Sequence, residues 1–223
     1  MKSVVLTALA LILAISAVSA QDTSYRASDN TLFILPTGDV VPKGTHQLNS
    51  FQLFFVGYNY GLSNRLQVGA FAFFPFNASV FRESFSVSAK YNFYRTDRLS
   101  LSGMGVIFPA NGVTLAVASG SYSVNKTRLH AGFGTGFIVE DPADAAPLIA
   151  ILGVDHNLSD RVSLMSEFSS LASSFIDDAS GLFSVGARFH FENGNIDFGA
   201  MRPSGAGGDF LAFPFIRGTI EFN

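Results

Sequence analysis

The chain has no cysteine and no tryptophan among its 223 residues, and only 14% of them are charged. The absence of cysteine excludes disulfides, zinc–thiolate sites and thiol chemistry. Beyond residue 20 no apolar run reaches the length of about eighteen that a membrane-spanning helix needs, which excludes a helical membrane protein. The formal net charge of -3 gives no basic surface for nucleic acid.

Residues 1–20 have the composition of a secretory signal peptide. Lys2 supplies a positive start, Val4 to Ile15 is an apolar run, and Val18-Ser19-Ala20 is a small-residue cleavage site. The run is too short and wrongly flanked for a transmembrane helix. We therefore expect cleavage after Ala20 and a single exported domain over residues 21–223.

Phenylalanine is abundant, with 24 residues, while charge is scarce. A soluble β-protein usually keeps one sheet face polar, and this composition cannot cover such a surface. An exported chain of alternating strands then has one common solution, a closed barrel with apolar residues toward lipid and polar residues toward the lumen. The alternative is a soluble secreted β-sandwich, which predicts that the mature protein stays in solution without detergent.

A tight turn leads into a strand five times along the chain. Four of these strands open on arginine, at Arg65, Arg98, Arg128 and Arg161, which are spaced by 33, 30 and 33 residues, and the fifth opens near Asn195. Apolar and polar residues alternate after each turn, which is the period of a strand and excludes a helical solenoid. Each repeat is therefore predicted to be a β-hairpin.

The alternation predicts an all-β fold, a closed antiparallel up-and-down transmembrane barrel of twelve strands. A ten-stranded barrel with an embellished N-terminus is the alternative. The predicted strands are 31–36, 45–60, 65–76, 83–95, 98–108, 113–123, 128–139, 147–157, 161–172, 180–192, 195–202 and 211–222.

Even strand parity predicts the orientation. If both termini are periplasmic, the five tight turns all fall on the periplasmic side, and the arginines lie at a solvated rim. The longer links then fall on the outer side, at 37–44, 77–82, 140–146, 173–179 and 203–210.

Three stretches resemble known bacterial barrels. Tyr60 to Gly69 is similar to a turn-and-strand motif common in Gram-negative outer-membrane barrels, and Leu35-Pro36-Thr37-Gly38 with Lys43-Gly44-Thr45 resembles the opening hairpin of uncharacterised porin-like barrels. Phe215 to Phe222 resembles the C-terminal signal read by the barrel assembly machinery, except that Asn223 follows it. The resemblance implies an integral protein of the bacterial outer membrane, with the lipid bilayer and the assembly machinery as partners.

The sequence offers no catalytic or metal-binding motif. The histidines, which lie on four different predicted strands without ligand spacing, are His46, His130, His156 and His190. We expect them to be wall residues, with no metal and no cofactor. A lipid hydrolase would need serine, histidine and an acid or amide within hydrogen-bond reach, and no motif indicates one, so we predict that the chain is not an enzyme.

Lumenal charge is the candidate site. Pairing the predicted strands about the 173–179 loop sets Glu167 opposite Gly186 and Met165 opposite Arg188, which makes Glu167 and Arg188 diagonal neighbours. Lys90 is expected at a similar height, which predicts a charge layer of Lys90, Glu167 and Arg188. The layer either fills a narrow bore or selects solutes by charge.

A second candidate is an acidic outer rim. The predicted outer loops carry seven carboxylates and few cations, namely Asp39, Glu140, Asp141, Asp144, Asp177, Asp178 and Asp209. Such a mouth concentrates cations, shares divalent ions with the anionic lipid outside, or is simply solvated.

Size sets the predicted function. Eight strands give a bore filled by side chains and sixteen or more leave a wide channel, and twelve lies between. The prediction is a narrow non-specific channel for small solutes or ions. A closed structural or interaction barrel without transport is the alternative, followed by a lipid hydrolase.

Overall fold

The computed structural model describes residues 26–73, 78–138, 148–170, 181–204 and 212–223. These ranges contain twelve strands and one short helix. In chain order they are β1 His46–Phe51, β2 Phe55–Ser63, β3 Leu66–Phe73, α1 Ala78–Ser84, β4 Ser86–Arg95, β5 Leu99–Phe108, β6 Val113–Val124, β7 Thr127–Ile138, β8 Ile149–Asn157, β9 Val162–Ser169, β10 Gly181–Phe191, β11 Gly194–Ser204 and β12 Phe213–Phe222. Among the described residues, no helix is long and apolar enough to cross a membrane.

The strands form a closed antiparallel barrel, as predicted. Each strand pairs with its neighbours in sequence, and β1 closes the ring on β12, from His46 opposite Phe222 to Phe51 opposite Arg217. Tight turns follow β2, β4, β6, β8 and β10, which agrees with the predicted turns. We call the end of the barrel that carries these turns the turn end and the opposite end the loop end. The start of β1 and the end of β12 lie at the turn end.

The first predicted strand, 31–36, is wrong. These residues lie outside the sheet and contain only an isolated bridge between Thr31 and Pro36. The second predicted strand, 45–60, folds instead as two strands, β1 and β2. The total of twelve is right because one strand was lost and another gained, and the ten-stranded alternative is wrong.

A tight turn between β1 and β2 accounts for this split. The Phe54 N–H donates to the Phe51 carbonyl at 3.1 Å, and the two residues between them, Gln52 and Leu53, have φ angles of 48° and 65°. Positive φ at both central positions is the type I′ hairpin geometry, in which Asn-Gly is the usual pair. Glutamine and leucine give no such signal, so the turn has no signature in the sequence.

The outer face of the barrel is apolar. Most of its large side chains are well exposed, with Phe133 at 62%, Leu152 at 57% and Ile220 at 63%. The inner face toward the turn end is polar, and its residues are buried. They include Gln47, Gln67, Lys90, Asn92, Ser102, Ser121, Arg128, Asp155, Glu167, Arg188, Asp197, Arg217 and Thr219.

Candidate functional site

The burial of these polar groups results from a segment of the chain inside the barrel. Residues 26–44, here called the lumenal segment, precede β1 and fill the turn-end half of the lumen. Leu32 and Val40 are each 1% exposed, and Phe33 and Val41 are fully buried. The wall therefore surrounds a peptide, and its inward side chains pack on that peptide in place of water.

The lumenal segment folds back on itself. The Leu32 N–H donates to the Leu35 carbonyl at 3.0 Å, and the Thr37 N–H donates to the Asn30 carbonyl at 3.1 Å. Phe33 and Ile34 form the tip of this narrow loop. The apolar run Leu32 to Leu35, which has the composition of a strand, is therefore a tight bend.

Glu167 holds the tip. Its Oε2 accepts hydrogen bonds from the backbone N–H groups of Phe33 at 3.1 Å, Ile34 at 3.3 Å and Leu35 at 3.2 Å. Consecutive N–H groups that converge on one anion form a nest, and a charged acceptor strengthens each bond.

Two arginines hold the carbonyl side of the same bend. The Arg188 guanidinium donates to the carbonyls of Ser28 at 3.1 Å and Leu32 at 2.9 Å. The Arg217 guanidinium donates to Leu32 at 2.7 Å and Phe33 at 3.1 Å. Asp197, which lies behind them, pairs with Arg188 at 2.8 Å and with Arg217 at 3.3 Å.

The second half of the segment is fixed at Lys90 and Gly38. The Lys90 ammonium donates to the carbonyl of Asn30 at 3.0 Å and to that of Asp39. Ser100 Oγ donates to the Gly38 carbonyl at 2.8 Å. A Cβ on Gly38 would lie 2.1 Å from the Ser100 carbonyl oxygen, so only glycine fits there.

A third cluster surrounds Arg128, which pairs with Asp29 at 2.7 Å, Asp39 at 3.4 Å and Asp155 at 2.9 Å. Burial raises the pKa of the Asp29 carboxyl, and the adjacent guanidinium opposes that rise.

Arg128 is 9% exposed, so its predicted place at a solvated rim is wrong. The predicted place of Asp39 on the outer rim is also wrong, because it lies in the lumenal segment.

The Arg128 cluster includes a serine–histidine–aspartate chain. Ser121 Oγ and His130 Nδ1 are 2.8 Å apart, and His130 Nε2 and Asp155 Oδ2 are 2.8 Å apart. Ser121 also accepts the Gly38 N–H at 2.7 Å and is 3% exposed. These three wall residues therefore bind one another and the lumenal segment, and the Ser121 hydroxyl is engaged by both.

The three residues of the predicted charge layer face the lumen, but each binds the segment instead of the others. The predicted pairing was wrong by two positions, because Glu167 lies opposite Ser184 and Arg188 lies opposite Ser163. The ion-pair partner of Arg188 is Asp197. The other predicted rim acids lie outside the described residues, namely Glu140, Asp141, Asp144, Asp177, Asp178 and Asp209.

The loop-end half of the lumen differs from the prediction of a polar bore. Above the segment tip lies a cavity of about 440 Å³, here called the loop-end chamber. Its described lining has no charged side chain and is mostly apolar. The lining residues include Ile34, Phe51, Phe55, Phe71, Met104, Val106, Phe108, Leu115, Met201 and Phe215, with Asn49, Asn59, Ser86 and Ser88 as polar members. Alternation alone does not reveal this half, because both faces of these strands are apolar.

Within the part of the chain that the structure describes, no group of three or more histidine, aspartate or glutamate side chains is arranged to hold a metal ion. No family model matches the chain, and no curated protein matches it.

Solved structures similar to the chain are outer-membrane barrels. A KdgM porin in complex with disordered oligogalacturonate is 9% identical with a TM-score of 0.52, over 80% of this chain and 97% of that chain. Omp33 of Acinetobacter baumannii is 10% identical with a TM-score of 0.40, over 80% of this chain and 95% of that chain. Salmonella typhi OmpF in complex with daunomycin is 13% identical with a TM-score of 0.40, over 76% of this chain and 62% of that chain. The first of these supports the closed-barrel fold.

Proposed function

We propose that the chain is an integral barrel of the bacterial outer membrane. The support is the outer face, where large apolar side chains are exposed around the wall. A soluble protein rarely exposes a contiguous apolar patch beyond a few hundred Å². Export by a cleaved signal peptide over residues 1–20 and insertion by the barrel assembly machinery belong to the same proposal. Fractionation tests it, because the mature protein should need detergent to stay in solution.

Within that membrane, the proposed function is a channel for small solutes that its own lumenal segment keeps closed. The observation that carries this is the set of buried wall charges that bind the segment backbone, with Glu167 on its N–H groups and Arg188 on its carbonyls. A peptide that fills a narrow bore closes it, and displacement of that peptide would open it. The alternative is a permanently closed structural barrel, which rests on the same contacts. In the channel the segment can leave the lumen, and in the structural barrel it always stays there.

The charge layer has two roles in this proposal. With the segment in place, Lys90, Glu167 and Arg188 hold it. With the segment displaced, the same side chains line the passage and act on passing ions. The acidic loop residues would concentrate cations at the loop end. They are Glu140, Asp141, Asp144, Asp177, Asp178 and Asp209, and their removal should reduce cation preference at low salt.

Liposome swelling with small sugars tests the channel. The intact mature protein should admit sugar slowly, and a variant lacking residues 21–41 should admit it fast. If the truncated chain does not fold, Gly38→Ala supplies a displaced segment within a full-length chain. A folded barrel with a displaced segment that still excludes sugars would favour the closed structural barrel.

Catalysis is not part of the proposal. Ser121 accepts a hydrogen bond from the segment and Asp155 is paired with Arg128, so both groups are already engaged in contacts within the protein. Phospholipid vesicles containing the protein should release no fatty acid above the background of a Ser121→Ala variant. Release that depends on Ser121 would assign a hydrolase activity instead.

A further inference from the structure

We infer that the loop-end chamber is a binding site for small uncharged hydrocarbon molecules. The chamber lies on the opposite side of the segment tip from the turn end, so binding there does not require the channel to open. The inferred binding site is therefore independent of the proposed gating by the lumenal segment. An experiment can contradict one of the two without contradicting the other.

The first argument is the shape and chemistry of the wall. The centroid of the Phe51 ring lies 6.0 Å from that of Phe71 and 6.4 Å from that of Phe215, and both contacts are edge-on. The Phe55 ring stacks on Phe71 with 5.8 Å between the ring centroids. These offset and edge-to-face contacts fix the rings in place before any ligand arrives. The volume of about 440 Å³ lies within the range of small-molecule sites.

The second argument is the floor of the chamber. The Phe33 ring packs edge-on against Phe215 at 5.3 Å, and Ile34 is 41% exposed although it belongs to the lumenal segment. The segment therefore presents an apolar side chain to the chamber and its polar backbone to the charged wall below. Water molecules against this apolar floor lack hydrogen-bond partners on one side. A hydrocarbon that displaces them has no hydrogen bonds to lose.

The third argument is the absence of charge. Among the described lining residues none is ionisable. The polar members carry only amides and hydroxyls, and they are Thr31, Asn49, Gln52, Asn59, Ser86 and Ser88. An ion or a sugar acid would lose its hydration there without a counter-charge. An alkyl or aryl hydrocarbon loses nothing of this kind and buries its surface at roughly 25 cal/mol per Å².

The natural lack of tryptophan makes the test clean. Phe108→Trp places a single fluorophore in the chamber wall, and Ile107→Trp places one at the next position, on the outer face, where Ile107 is 48% exposed. Both variants are placed in lipid nanodiscs and titrated with 1-bromodecane, which quenches tryptophan on contact. Decane is the unbrominated competitor.

The expected result is saturable quenching of the chamber tryptophan at several-fold lower bromodecane than the outer one, with relief by decane only in the chamber. Phe71→Asn in the same background should raise the half-saturating concentration about tenfold. Parallel, non-saturable quenching of both reporters would overturn the inference and would indicate that loops or bilayer lipid occupy the chamber. Because titration needs no current, the result is independent of whether the barrel conducts.

Discussion

Ser28 and Thr219 meet hydroxyl to hydroxyl across the lumen, with Ser28 Oγ donating to Thr219 Oγ1 at 2.7 Å. The bond joins the lumenal segment to β12, the strand that closes the ring. It is a side-chain contact between the lumenal segment and the wall, and both residues are buried. This pair gives a direct way to lock the segment, because the chain has no cysteine of its own.

The double variant Ser28→Cys/Thr219→Cys should form a disulfide that keeps the channel closed. Single-channel recording under oxidising conditions should show no openings, and a reductant should restore the openings of the unmodified protein. Ser28→Cys alone is the matched control and should not respond to the reductant. Openings that persist with the disulfide formed would contradict the gate.

The twelve-strand barrel could be predicted because alternation is a local property of each strand. The lumenal segment could not, because Leu32 to Leu35 has the apolar composition of a strand and nothing local states that it pairs with wall side chains instead of a sheet. The signal available in the sequence was the number of polar side chains predicted to face the lumen, such as Lys90 and Arg188. The apolar chamber was missed because alternation of apolar and polar residues identifies the lumenal face of a strand only when that face is polar and the lipid-facing one is apolar. Near the loop end both faces are apolar.

Neutralising Glu167 should loosen the segment tip. Glu167→Gln keeps an oxygen acceptor for the three N–H groups but removes the charge, and a charged hydrogen bond exceeds a neutral one by about 1 kcal/mol. Open probability should rise at least about fivefold in planar bilayers, the factor to which about 1 kcal/mol corresponds, and ion selectivity should be measured on the same traces. If open probability and ion selectivity are both unchanged, Glu167 has only a structural role, that of filling the bore.

Gly38→Ala should displace the middle of the segment. Its Cβ would lie 2.1 Å from the Ser100 carbonyl oxygen, which is part of a strand and cannot withdraw. Sugar entry into liposomes should increase several-fold while heat-resistant barrel migration on gels is kept. The control is Gly103→Ala, where a Cβ meets nothing within 4 Å. Equal swelling by the two variants would argue against this contact.

Segment docking should strengthen as pH falls, through Asp29. Its pKa is raised in the docked state, so docking takes up a proton and is favoured as pH drops toward the ordinary value of 3.8. The contribution is lost as pH rises through the raised pKa. The groups facing Asp29 are Arg128, Asp155 and Asp39. Open probability should therefore be lower at pH 5 than at pH 7, and Asp29→Asn should flatten this dependence.

Exposed Asp97, at a turn, provides the control for that pH experiment. Asp97→Asn should leave the pH profile of the opening unchanged. A profile that stays steep in Asp29→Asn would assign the dependence to another titrating group in the lumen.

Leu53→Gly should stabilise the barrel by about 1 kcal/mol. Leu53 is in the left-handed region at φ 65°, where a side chain is strained and glycine is not. Its side chain is 72% exposed, so little packing is lost. Urea unfolding in lipid vesicles measures the change. Leu62→Gly, in the β2 strand, has no such strain to relieve and should destabilise instead.

The wall recognises the lumenal segment mainly through the segment's backbone, since Glu167, Lys90, Arg188 and Arg217 all bind N–H or C=O groups. Backbone groups are the same in every residue other than proline. Mutations could therefore accumulate in much of this segment over evolutionary time without expelling it, provided that Gly38 and the bend persist. Related barrels could thus share the wall residues and differ in the lumenal segment. Sequence identity would then underestimate how closely such barrels are related.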